Sequence, residues 1–109
     1  MRQRVAVALD AVPDVTGHSK RPAAPAIGDG WPLLSLLDRA QGTAFLATWR
    51  VRVLLPQDED AASEWLDVHW PPLFYALAPL GHVQRAAPVM LAAAGGDLYA
   101  LEITMIAEE

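Results

Sequence analysis

The chain reads as an α+β domain: two antiparallel hairpins forming a mostly antiparallel sheet of four to five strands, packed by an N-terminal helix and a kinked central helix. Three observations predict this. Apolar residues alternate along residues 43–55 and again along residues 98–106, the period of a half-buried strand. They recur at helical spacing from Ala62 to Leu80. A total of 109 residues, 53% of them hydrophobic, suits one domain spanning 1–109 with a modest core.

Residues 2–12 place Val5, Leu9 and Val12 at helical spacing, with Ala6 and Ala8 nearby, and Pro13 stops the helix. Residues 13–30 carry Pro13, Gly17, Pro22, Pro25, Gly28 and Gly30, too much punctuation for a helix. Residues 15–18 still fit a brief strand. A loop this long in a small domain is usually functional or orders on binding, and His18, Lys20 and Arg21 lie inside it. Residues 31–37 read as an edge-tolerant strand beginning beside Pro32, followed by the turn-like Asp38-Arg39-Ala40-Gln41-Gly42. In the next strand the alternation assigns Phe45, Ala47, Trp49, Val51, Val53 and Leu55 to the core. Arg50 and Arg52 then point outward or toward a partner subunit.

Asp58, Glu59 and Asp60 suit a helix start, where carboxylates satisfy orphan amides and complement the dipole. The stripe Ala62, Trp65, Leu66, Leu73, Ala76, Leu77 and Leu80 includes His69. Pro71-Pro72 in its middle removes two donors and predicts two helical pieces rather than one; Gly81 reads as the C-cap. Residues 83–107 form the second hairpin. Val89, Leu91 and Ala93 alternate, residues 94–97 turn, and Tyr99, Leu101, Ile103 and Met105 alternate again. The opposite face, with Leu98, Ala100, Glu102, Thr104 and Ile106, is mixed and suits an interface.

Composition excludes several classes. There is no cysteine, hence no disulfide scaffold, thiol nucleophile or thiolate zinc site. The apolar stretch at residues 5–9 is too short for a signal sequence or membrane span. A net charge of −5 opposes general nucleic-acid binding, which relies on Lys and Arg neutralising phosphates. The hydrophobic surplus exceeds what one small core hides and predicts burial against partner chains.

Catalytic and cofactor signals are missing. His18, His69 and His82 lack metal-ligand spacing, and Ser19, Ser35 and Ser63 lie outside any nucleophile-elbow sequence. Gly28-Asp29-Gly30 and Gly95-Gly96-Asp97 read as turns, not phosphate cradles. The acids at 58, 59, 60, 64 and 67 lack the central glycine of a calcium loop. The sequence therefore assigns no catalytic residue, no metal and no cofactor. Trp49 and Trp65 belong to core faces, whereas Trp31, beside the loop, and Trp70, beside the double proline, are candidate interface anchors.

This order of elements resembles the tail terminator proteins of long-tailed, non-contractile bacteriophages. The resemblance spans essentially the whole chain. It rests on the N-terminal helix, the Pro-rich residues 13–30, the hairpin ending in Thr48-Trp49-Arg50-Val51-Arg52-Val53-Leu54-Leu55, the acidic-started helix and the terminal hairpin around Gly95-Gly96. Pro71-Pro72 departs from the pattern. The resemblance implies a non-enzymatic virion protein, assembled in the host cytoplasm, whose hexameric ring caps the tail tube, ends its polymerisation and meets the head connector. DNA would pass through the lumen without specific binding, which an acidic subunit favours. Lys20, Arg21, Trp31, Arg39, Arg50, Arg52 and Trp70 are then the candidate subunit or tube contacts, with Arg50 and Arg52 pairing across subunits. The alternatives are a head-closure protein of the neck and, from another class, a small enzyme or ligand-binding domain using His69 and Tyr75.

Overall fold

Helix α1 (Arg2–Asp10) forms where the sequence places Val5, Ala6 and Leu9 on one face, and all three are buried. It stops before Val12, which is buried beyond the helix end. The computed structural model describes residues 1–39, 42 and 44–108; the expected turn residues Ala40 and Gln41, with Thr43 and Glu109, lie outside the described residues. Strand β1 (Thr16–Gly17) is brief and runs parallel to β2 (Asp29–Arg39). Then come β3 (Phe45–Leu54), α2 (Glu59–Leu77), β4 (His82–Leu91) and β5 (Leu98–Glu108). The five strands lie in the order β1-β2-β3-β5-β4. All pairings but β1 with β2 are antiparallel, so the sheet is the mostly antiparallel one that alternation predicts.

Both helices lie on one face of the sheet. Cross-strand neighbours share a face, and the register sets Trp49 opposite Met105, Val51 opposite Ile103 and Val53 opposite Leu101. These six are buried with Val5 and Leu9 of α1 and Leu73 and Leu77 of α2, which is the core assigned from alternation. Phe45 is the exception and stays exposed. Asp58 caps α2, its carboxylate accepting a 3.0 Å hydrogen bond from the Ala61 amide.

Three expectations need correction. The central helix is one piece, continuous from Glu59 to Leu77 with both prolines inside it. Prolines at 71 and 72 deprive the carbonyls of Asp67 and Val68 of partners. Both residues are exposed, on the solvent side of the helix, where unpaired carbonyls cost least. Two interior prolines cost about 6 kcal/mol at about 3 each, and burying Leu73 and Leu77 beyond them offsets much of this at about 1.5–3 kcal/mol each. Second, Gly81 is the expected C-cap, but of a 3-10 turn (Ala78–Leu80) that follows α2 and with an extended backbone, and glycine is needed because a Cβ there would sit 2.6 Å from the Ile106 carbonyl oxygen. Third, Val89 and Leu91 do not share the face of Leu101 and Ile103. They pair with Ala100 and Leu98 on the other side of the sheet.

Candidate assembly surface

Strand and helix lengths determine what the sheet leaves uncovered. Eleven residues of β2 extend about 36 Å, whereas the nine of α1 cover about 14 Å. Helix α1 packs on the β1 end of β2. The far end of the β2–β3 hairpin forms an arm whose β2 edge is bare, since β1 pairs only with Asp29 and Gly30, while its β3 strand stays paired with β5 as far as Leu46. Ser35 to Arg39 are all exposed, and a register shift between Leu34 and Leu36 marks where the arm begins. Leu36 and Leu46 lie on its open side, Leu37 and Phe45 on its helix side. With Leu33, these side chains are 41% to 52% exposed. At roughly 200 Å² for a large apolar side chain fully exposed, they present on the order of 400–500 Å² of apolar surface in all, divided between the two faces of the sheet.

The open sheet face divides in two. Near its loop end Trp31, Leu54, Leu91 and Ala100 form a second core with Val89 and Leu98. The Pro-rich segment covers it. The Arg21 guanidinium lies 5.7 Å from the Trp31 ring centroid and donates a 3.0 Å hydrogen bond to the Ala92 carbonyl. The segment is anchored at its ends as well: the Gly28 amide donates to Leu54 and the His18 amide to Gly30. His18 Nε2 lies 3.2 Å from Asp29 Oδ1, off the direction of a hydrogen bond. Loop residues expected to order on a partner are thus held by their own chain. Lys20 and Arg21 line an open cleft of about 620 Å³ between this segment and α1, with Gln3 and Asp10.

Toward the arm, the open face is polar. Glu102 lies directly opposite Arg52 and diagonal to Arg50. Its two oxygens take both cations, at 3.1 Å from Arg52 and 3.5 Å from Arg50. Arg85 of β4 lies on the same face, across from Thr104. The acids of α2, Glu59, Asp60, Glu64 and Asp67, are on the other side of the sheet.

The site residues chosen from sequence therefore have different fates. Trp31 is corrected: at 1% exposure it is an internal residue, because the loop folds over it. Arg50 and Arg52, expected to pair across subunits, find their carboxylate within the chain. Arg39 is exposed on the arm, its Nε donating to the Gly42 carbonyl. Trp70 is half-buried against Phe74 and lines a shallow, largely apolar hollow between α2 and β4 with Leu66, Asp67, Ala86, Pro88 and Leu101. Sequence reasoning missed the arm's leucines and Phe45, because Phe45 shares its alternation with true core residues and the run 31–37, read as an edge-tolerant strand, carries no alternation that says which of its leucines are bare.

His69 and Tyr75 do not come together. His69 turns inward, stacked on Trp65 at 4.0 Å, with Nδ1 2.8 Å from the Trp65 carbonyl and Nε2 3.1 Å from Asp14 Oδ2; Tyr75 is 74% exposed. This contact ties α2 to the α1–β1 connection, where Asp14 adopts a positive φ of 65°. Among the described residues no group of three or more His, Cys, Asp or Glu is placed to hold a metal ion, and no helix is long and apolar enough to cross a membrane. No protein-family model matches the chain, and no curated protein matches it.

Proposed function

We propose that the protein is a non-catalytic assembly subunit of a phage tail, forming a hexameric ring that caps the tail tube, stops its growth and presents a surface to the head connector. The observation that carries this reading is the apolar exposure at the arm. Four exposed apolar side chains on it, with Leu33 beside it, lie on both faces of the sheet and call for partner contacts. The order of elements, which resembles that of tail terminators, supplies the kind of assembly. A ring with one face complementary to the last tube ring ends growth because its other face offers tube subunits no matching surface.

Electron microscopy of particles lacking the protein tests the reading. Abnormally long tails are expected. Tails of normal length, detached from heads that have lost DNA, would instead make it a head-closure component of the neck.

A further inference from the structure

The arm and the hollow beside Trp70 lie on opposite edges of one sheet, the arm on the β2 side and the hollow on the β4 side. We propose that the arm of one copy of this chain seats in the α2–β4 hollow of the next, Leu37 and Phe45 entering against Leu66, Trp70 and Pro88 while Arg39 meets Asp67. Three features match the two surfaces.

The first is chemistry. Leu37, Arg39 and Phe45 share the helix side of the arm, since Leu37 is set opposite Ala47 and Arg39 opposite Phe45. The hollow offers apolar walls from both the helix and the sheet, since Ala86 and Pro88 pair with Ile103 and Leu101 on the helix-bearing face. Its size, about 290 Å³, falls just below the roughly 300–1,000 Å³ of small-molecule sites, which suits inserted side chains better than a ligand.

The second is charge. The arm brings the Arg39 guanidinium. The rim of the hollow is Asp67, with Glu64 one helical turn before it on α2, and among the described residues no ion pair engages Asp67. Arginine beside an apolar anchor is a common core of tight interfaces.

The third is symmetry. A contact between one edge of the sheet and a hollow at the opposite edge is head-to-tail, and repetition of such a contact closes a ring when the rotation allows. Leu37 and Phe45, about half exposed, present on the order of 200 Å², about a quarter of the roughly 800 Å² each partner contributes to a stable interface, so polar surface around them must supply most of the contact. The inference rests on the ring reading for its closure and names which surfaces make the ring.

A complementation experiment separates this contact from a self-matching one. One variant carries Leu37→Asn and Phe45→Asn on the arm, the other Asp67→Arg and Pro88→Arg at the hollow; all four positions are exposed, and circular dichroism with urea titration checks that both fold. Native mass spectrometry is expected to find each variant monomeric alone and a one-to-one heterodimer, with nothing larger, on mixing. Variants that assemble like the unaltered chain, or a mixture that stays monomeric, overturn the inference. If the unaltered chain still forms rings in that case, the ring reading stands and only the assignment of surfaces fails. An unaltered chain that is monomeric at millimolar concentration and when mixed with tail tubes overturns both. Should either variant unfold, the charge pair provides the same test. Arg39→Asp is expected to weaken association at least tenfold and Arg39→Asp with Asp67→Arg in one chain to restore it; failure of the rescue overturns the contact.

Discussion

Replacing Trp31 by alanine distinguishes an internal anchor from an interface residue. The indole is 1% exposed and closes the second core over Leu54, Leu91 and Ala100, under the Arg21 guanidinium. A buried Trp→Ala substitution costs about 3–5 kcal/mol. A chain of this length has a total stability of roughly 5–15 kcal/mol, so the loss removes a third or more of it in a typical case. At about 4–8 °C per kcal/mol for a domain near 100 residues, the melting temperature should fall by roughly 12 °C or more. The Pro-rich segment should also loosen, since the guanidinium loses the ring beneath it. The measurement is urea unfolding followed by circular dichroism, at a concentration low enough that the chain is monomeric, with hydrogen exchange reporting on residues 18–28. Trp31→Phe should retain more than half of the lost stability. An unchanged urea midpoint for Trp31→Ala, with association alone weakened, would refute the placement of this residue inside the subunit.

Three further outcomes follow from local geometry. Gly17→Ala should destabilise by about 3 kcal/mol or more, because its Cβ would clash with the Ala6 carbonyl oxygen, a backbone atom that moves only if α1 lifts from β1; a thermal melt within about 2 °C of the parent would count against this packing. Glu102→Ala should cost roughly 1.5–3 kcal/mol, as expected for charge-assisted hydrogen bonds in a partly buried setting. The same change in an Arg52→Ala background should cost markedly less, and additive effects in that double-mutant cycle would show that the Arg52–Glu102 pair is not formed within the chain. Pro71→Ala should stabilise the subunit by about 1–3 kcal/mol, since the helix already runs through this exposed position and the new amide can reach the Asp67 carbonyl; a lower melting temperature would mean that the proline conformation itself is required.

The alternation of residues 45–55 and 99–105 determined both central strands and their buried faces, because a strand sends successive side chains to opposite sides whatever lies beyond it. The acids at 58–60 located the start of α2 for an equally local reason. The N-terminal helix, the brief first strand and the hairpin turn at residues 94–97 were legible in the same way. Local rules failed where distant chain supplied the deciding energy. Trp31 looked like a surface anchor because nothing in residues 30–32 says that residues 18–28 fold back over them. Pro71-Pro72 looked like a break because the burial of Leu73 and Leu77, which holds the helix together across them, depends on a sheet formed elsewhere. Glu102 lies fifty residues from Arg52, so a pair expected between subunits closed within one.

The candidate surface shows the same division. Trp70 and Arg39 could be singled out by residue type, as an aromatic and an arginine beside breaks in regular structure. The leucines and Phe45 of the arm could not, since an apolar side chain carries the same pattern whether its strand is covered or bare. Sequence alone determined the α+β class, the strand faces and an apolar surplus in need of burial. Only the tertiary structure decided where that surplus is left exposed, because exposure depends on which parts of each sheet face the two helices and the Pro-rich segment cover.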